Sequence, residues 1–172
     1  MGKIVNDLTA WKKEICDTER IVFVNGCFDL LHLGHLHLLQ KARELGTVLF
    51  VAVNGDESVK KLKGLLRPVL PEQHRIQHVA ALECVNFCHV FHSVRCTHVI
   101  EVVRPHVWVK SAEYNLRNLS SEEYAAARKI KAEIIFIPCL ETTSTTFFLQ
   151  QYITKIHNFA CLTLIGDLDK TK

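Results

Sequence analysis

Ile21-Val22-Phe23-Val24-Asn25-Gly26-Cys27-Phe28-Asp29-Leu30-Leu31-His32-Leu33-Gly34-His35 is the stretch from which this chain is best read. It opens with an apolar run of strand length, Ile21 to Asn25, and passes a glycine. It then enters a segment in which Leu36, Leu39, Ala42 and Leu45 recur with helical spacing. The pattern predicts a strand, a tight bend and a helix over Gly34 to Leu45, with His32 and His35 at the junction. Gly26 lets the backbone approach a ligand closely. The free N–H groups and positive dipole end of the following helix favour anionic oxygens.

Outward from this block, strand-length apolar runs recur at Thr47 to Val53, Val85 to Phe91, His106 to Val109 and Glu133 to Ile137. Helical patterns lie between or after them: Pro71 to Cys84, opened by a proline, then Thr97 to Val103, Ser121 to Lys131 and Ser144 to His157. Buried, nearly continuous apolar strands alternating with helices predict an α/β fold. The expected architecture is a Rossmann-like, doubly wound, parallel five-stranded sheet with helices on both faces. Such sheets bind ligands beyond the carboxyl ends of their strands, where the strand order reverses. Chemistry is therefore sought after Asn25, Asn54, Val109 and Ile137. The expected organisation is a peripheral helix over residues 1–18, one domain over 19–157 and a tail over 158–172.

The 172 residues, 48% hydrophobic, suit one self-standing core without disulfide staples. The 21 basic and 18 acidic residues are interspersed and leave a net charge of +3, a pattern that speaks for solubility and against a nucleic-acid partner. Seven cysteines, an odd number without CxxC spacing, predict reduced thiols in a cytoplasmic protein, with a structural zinc site as the alternative. The charged amino-terminal segment lacks a signal-peptide core, Asn6 stands where a myristoylation motif wants Ser or Thr, and no uncharged membrane-length run occurs. No membrane attachment is expected.

A phosphorus under in-line attack gathers negative charge on its equatorial oxygens, and donors aimed in advance at those oxygens lower the barrier. His32 and His35 at a helix start meet that need. Two other readings compete: with His37 they form a zinc-like cluster, and His74 and His78 have the i, i+4 spacing of helical metal ligands.

The motifs VNGCFDLLHLGHLHLLQKARELG, VAVNGDESVKKLKG, LRPV, EQHR, ALECV, VWVKSAEY and STT occur in this order between about Arg20 and Ile156. In these the chain resembles the HxGH cytidylyltransferase-like nucleotidyltransferases, and within them the adenylyltransferase domain of bacterial ADP-heptose synthase. The resemblance implies that His32 and His35 stabilise the transferring α-phosphate and the departing pyrophosphate. It implies that backbone amides of Gly26, Cys27 and Phe28 line the phosphates beside Gly34, and that Asp29 braces the loop. Lys61 and Lys63 would bring mobile positive charge, Lys63 to the reacting phosphates, against the plainer reading of solvated surface lysines. Arg75 would clamp a phosphate in bidentate fashion, against the plainer reading of a salt bridge on a helix face. Lys110 and Glu113 would bind nucleotide. Ser144, Thr145 and Thr146 would hold the triphosphate at a helix start, or serve only as its cap.

Two departures from the family pattern stand out. Lys110-Ser111-Ala112-Glu113-Tyr114 replaces a lysine, two glycines, an aspartate and a tyrosine, and Thr142 and Thr143 occupy a stretch that usually holds a glycine. Both bear on specificity. The resemblance implies AMP transfer from ATP to D-glycero-β-D-manno-heptose 1-phosphate, with Mg²⁺ carried mainly by the triphosphate and a separate sugar kinase supplying the acceptor. It also implies a homodimer. The alternatives are cytidylyl transfer from CTP to glycerol 3-phosphate or an amino-alcohol phosphate, and a nucleotide-binding protein without turnover.

Overall fold

The computed structural model describes residues 1–115, 117–138 and 149–155. Residues 1–140 form one compact unit and 141–172 a second. In the second, residues 149–155 are helical. The expected tail and half of the expected helix Ser144 to His157, including Ser144, Thr145 and Thr146, lie outside the described residues.

The first unit contains β1 (Lys3–Ile4), α1 (Leu8–Glu14), β2 (Ile21–Gly26), α2 (Leu33–Arg43), β3 (Val48–Asn54), α3 (Asp56–Lys63) and α4 (Glu72–Ala80). It continues through β4 (Phe87–Phe91), α5 (Thr97–Val103), β5 (Val107–Ser111), α6 (Ser121–Lys129) and β6 (Glu133–Ile137). All strand pairings are parallel and the order is β1-β4-β3-β2-β5-β6. The five expected strands are present within two residues of their predicted bounds, and a sixth, β1, joins the β4 edge through Lys3 opposite Phe87 and Ile4 opposite Cys88. The first 18 residues thus supply a sheet edge as well as helix α1, whose Asp7 carboxylate accepts from the Thr9 and Ala10 amides.

Alternation along β2 and β5 sends side chains to two cores. Val22, Val24, Val107 and Val109 pack with Leu39 and Ala42 of α2 and Ile76, Val79 and Ala80 of α4. Phe23, Phe50 and Trp108 pack on the other face with Trp11 of α1, Val99, Ile100 and Val103 of α5, and Ala126 and Ala127 of α6. The doubly wound arrangement follows, because a strand apolar on both sides must be covered on both sides. Helix α3 was not anticipated: it is short and mostly charged, and follows β3 directly. The strand order reverses between β2 and β5, which places the carboxyl ends of these two strands at the switch point.

Candidate active site

Beyond the carboxyl end of β2 the chain turns on Phe28, whose φ of 45° is left-handed. An aromatic residue adopts that conformation only against strain. Burial of the ring offsets it, since Phe28 is 2% exposed and sits 5.2 Å from the His35 ring between centroids. A Cβ on Gly26 would fall 3.2 Å from the Phe28 ring, so the glycine gives the aromatic side chain its seat.

Asp29 is buried and gathers the neighbouring loop. Its carboxylate accepts from the amides of Val69 at 2.9 Å and Leu70 at 3.0 Å and from Arg67 Nε at 2.7 Å. Arg67 Nη2 is buried without a hydrogen-bond partner. The loop after α3 is thereby tied to the bend after β2.

His32 precedes α2 as its capping residue, and its carbonyl receives the amides of His35 at 2.9 Å and Leu36 at 3.2 Å. The imidazoles of His32 and His35 stack with centroids 3.8 Å apart and planes 30° from parallel. Burial, then the neighbouring His32 and Lys63, push the His35 pKa down to about 3. Burial also lowers that of His32, with Glu113 opposing and Lys63 reinforcing the shift. Both rings are therefore neutral at pH 7 in the ligand-free protein.

Lys63 is exposed and lies within electrostatic reach of His32, His35 and the Cys27 thiol. Glu113 is likewise close enough to act on His32. The fold thus gathers Gly26, Cys27, Phe28, Asp29, His32, Gly34, His35, Lys63 and Glu113 around one bend. Lys61 is exposed on the same helix as Lys63 and no electrostatic influence of it on the histidines is resolved.

Arg75 corrects its expected role. It is fully buried and donates through Nε to the Leu70 carbonyl at 2.9 Å, through Nη1 to the Cys27 carbonyl, and through Nη2 to Asp56 at 2.7 Å. All three nitrogens are committed, so Arg75 fastens three segments of the ligand end instead of clamping a phosphate. Among the described residues no three His, Cys, Asp or Glu side chains are grouped to hold a metal, and the five described cysteines are free thiols.

Lys110 leaves the end of β5 on the other face of the sheet and is 6% exposed. Its ammonium lies 3.3 Å from Asn25 Oδ1, 4.4 Å from the Tyr114 ring centroid and 5.1 Å from that of Trp108. Asn25 Oδ1 also accepts from Trp108 Nε1 at 3.0 Å. Sequence reasoning passed over Asn25, Asp56, Arg67 and Trp108 as site residues. Asn25 and Lys110 are the penultimate residues of β2 and β5, and only the pairing of these strands makes them neighbours.

The sequence profile of the cytidylyltransferase-like family matches residues 23–157. The bifunctional protein HldE of a Nitratiruptor species is 41% identical over 133 residues, covering 77% of this chain and 28% of that protein. The bifunctional protein HldE of Helicobacter pylori is 44% identical over 112 residues, covering 65% of this chain and 24% of that protein. The chain therefore spans about a quarter of the length of these curated relatives. The crystal structure of a lipopolysaccharide core biosynthesis protein from Thermoplasma volcanium superimposes with a TM-score of 0.58, covering 71% of this chain and 97% of that one at 23% identity. That likeness is one of fold.

Proposed function

Since this chain belongs to the cytidylyltransferase-like family, we propose that it transfers AMP from ATP to D-glycero-β-D-manno-heptose 1-phosphate, giving ADP-heptose and pyrophosphate. The observation that carries the reading is the stacked His32–His35 pair at the amino end of α2, with Lys63 beside it. The HldE relatives and the motif resemblance support adenylyl transfer to a heptose phosphate over other acceptors.

An oxygen of the acceptor phosphate attacks the α-phosphorus, a new P–O bond forms, and the bond to the β-phosphate oxygen breaks in line with it. The nucleophile is already ionised at neutral pH, so no strong base is required, and catalysis comes from positioning and charge stabilisation. Backbone amides at the bend and the amino end of α2 face the phosphates, and His32 and His35 donate hydrogen bonds to the α-phosphate and the departing pyrophosphate. Lys63 on its long stem follows the charge as it moves to the leaving group. Imidazole and ammonium groups are poor partners for Mg²⁺, which prefers oxygen. Mg²⁺ would therefore be held on triphosphate oxygens and supply further charge neutralisation there.

The reaction needs a step that phosphorylates the sugar beforehand, and it is assigned to the cytoplasm, where both substrates are soluble. Among the described residues no helix is long and apolar enough to cross a membrane. A homodimer is the assembly the resemblance suggests. The deciding experiment incubates the protein and Mg²⁺ with ATP or CTP and a panel of phosphorylated acceptors, and measures pyrophosphate. ATP with the heptose 1-phosphate is expected to give the highest kcat/KM. CTP with glycerol 3-phosphate or an amino-alcohol phosphate giving the highest value would replace the proposed reaction, and triphosphate binding without pyrophosphate from any pair would reduce the protein to a nucleotide binder.

A further inference from the structure

Asn25 is the penultimate residue of β2, one beyond Val24, and Lys110 follows Val109 on β5, where Val24 and Val109 are paired. Alternation puts Asn25 on the same face as Phe23, and Lys110 on that of Trp108, which is the face covered by α1, α5 and α6. The histidines are carried by α2 on the opposite face. Both groups meet at the carboxyl edge of the seam where the strand order reverses. The Cys27 thiol lies within electrostatic reach of Lys63 and of Lys110. Two cations therefore lie within electrostatic reach of one bend, Lys110 from the face covered by α1, α5 and α6.

An ammonium is rarely buried unless its hydrogen bonds and charge are met. Lys110 has an amide oxygen, two aromatic faces and the buried Glu123 carboxylate within electrostatic reach. The indole N–H and the ammonium can only donate, so the Asn25 atom facing both must be its oxygen. That oxygen has two lone pairs, and the two donors account for both. The amide is thus pinned by Trp108, a core residue with no exposed surface, and the ammonium is pinned by the amide.

We propose that Asn25 is a positioning residue that holds the Lys110 ammonium at the β2–β5 seam, as a second cation for substrate phosphate on the face opposite the histidines. This rests on the nucleotidyl-transfer reading above. A ligand that crosses the carboxyl edge of the sheet, with its reacting phosphate at the bend, meets the histidines on one side and Lys110 on the other.

A double-mutant cycle in the full chain tests the coupling. Asn25→Ala should lower kcat/KM for the triphosphate on the order of tenfold, the loss expected from one hydrogen bond to a charged group. In a Lys110→Met background the same change should matter less than twofold, and Asn25→Asp, which keeps an acceptor, should restore most of the activity. An Asn25→Ala effect that persists with Lys110→Met and disappears with Trp108→Phe would overturn the proposal, since Asn25 would then only prop the indole. Competitive acylation of the ligand-free protein gives a readout independent of turnover. Loss of the acceptor disfavours the charged ammonium, so Lys110 should acylate several-fold faster in folded Asn25→Ala or, should that variant unfold, Asn25→Ser. Unchanged Lys110 reactivity would overturn the proposal whether or not the protein turns over. A wild-type protein that yields no pyrophosphate from any substrate pair defeats the nucleotidyl-transfer reading, and with it the phosphate role of Lys110; the acylation result would still decide the Asn25–Lys110 link.

Discussion

His32 and His35 stand one helical turn apart with their rings in contact, 3.8 Å between centroids, and His32 lowers the readiness of His35 to carry a proton. Because burial and Lys63 act in the same direction on His35, and burial lowers His32 as well, both rings rest neutral in the ligand-free protein.

The His35 pKa of about 3 lies below that of an unfolded histidine, about 6.5. Between these values the unfolded chain holds a proton that the folded chain does not. Stability from this group is therefore present above pH 6.5 and is lost as pH falls toward 3, at up to about 1.4 kcal/mol per pH unit. Urea denaturation at several pH values should show this slope, and His35→Gln should flatten it. Triphosphate binding should raise the His35 pKa, so titration calorimetry near pH 5 in buffers of different ionisation enthalpy should show net proton uptake. Absence of uptake would separate His35 from the phosphates.

Replacing His35 by Ala removes one aimed donor, and turnover should fall about a hundredfold or more. Lys63→Ala should weaken triphosphate binding and reduce its salt dependence, because Lys63 reaches both histidines and Cys27. Lys61→Ala should leave both within about twofold. Equal losses for the two lysines would show that only diffuse positive charge matters.

Arg75→Met should cost about 3–5 kcal/mol, as expected for breaking a buried pair, since the Cys27 and Leu70 carbonyls and Asp56 all lose their donor. Arg75→Lys should recover only part of this, because one ammonium cannot span three acceptors. Chemical denaturation reads the loss directly. A stable Arg75→Met protein defective only in triphosphate affinity would return Arg75 to phosphate binding.

Gly26→Ala should cost about 1–3 kcal/mol, because its Cβ would press on the Phe28 ring at 3.2 Å and the left-handed bend leaves that ring little freedom. Thermal unfolding measures the cost. Phe28→Leu in the same background should recover part of it by clearing the contact, whereas an unchanged penalty would place the strain elsewhere.

What the chain states locally was legible from its sequence. The runs Ile21 to Asn25 and Glu133 to Ile137 read as buried strands because nearly every residue is apolar, and Leu36, Leu39 and Ala42 marked α2 by their period. Strand, glycine and paired histidines before a helix marked the candidate site, since a helix start supplies unpaired donors wherever it occurs. Relations between distant residues needed the tertiary structure. The pairing of β1 with β4 joins positions more than eighty residues apart through two residues with no strong pattern of their own. Arg75 could be read as a phosphate clamp or a salt bridge, and its partners Cys27, Asp56 and Leu70 are set by the tertiary structure. Likewise Lys110 became a buried, oriented cation only when β2 and β5 brought Asn25 and Trp108 beside it. The physical reason is that periodicity records which side of an element faces the core, while hydrogen-bond partners and burial of charge are set by which elements become neighbours.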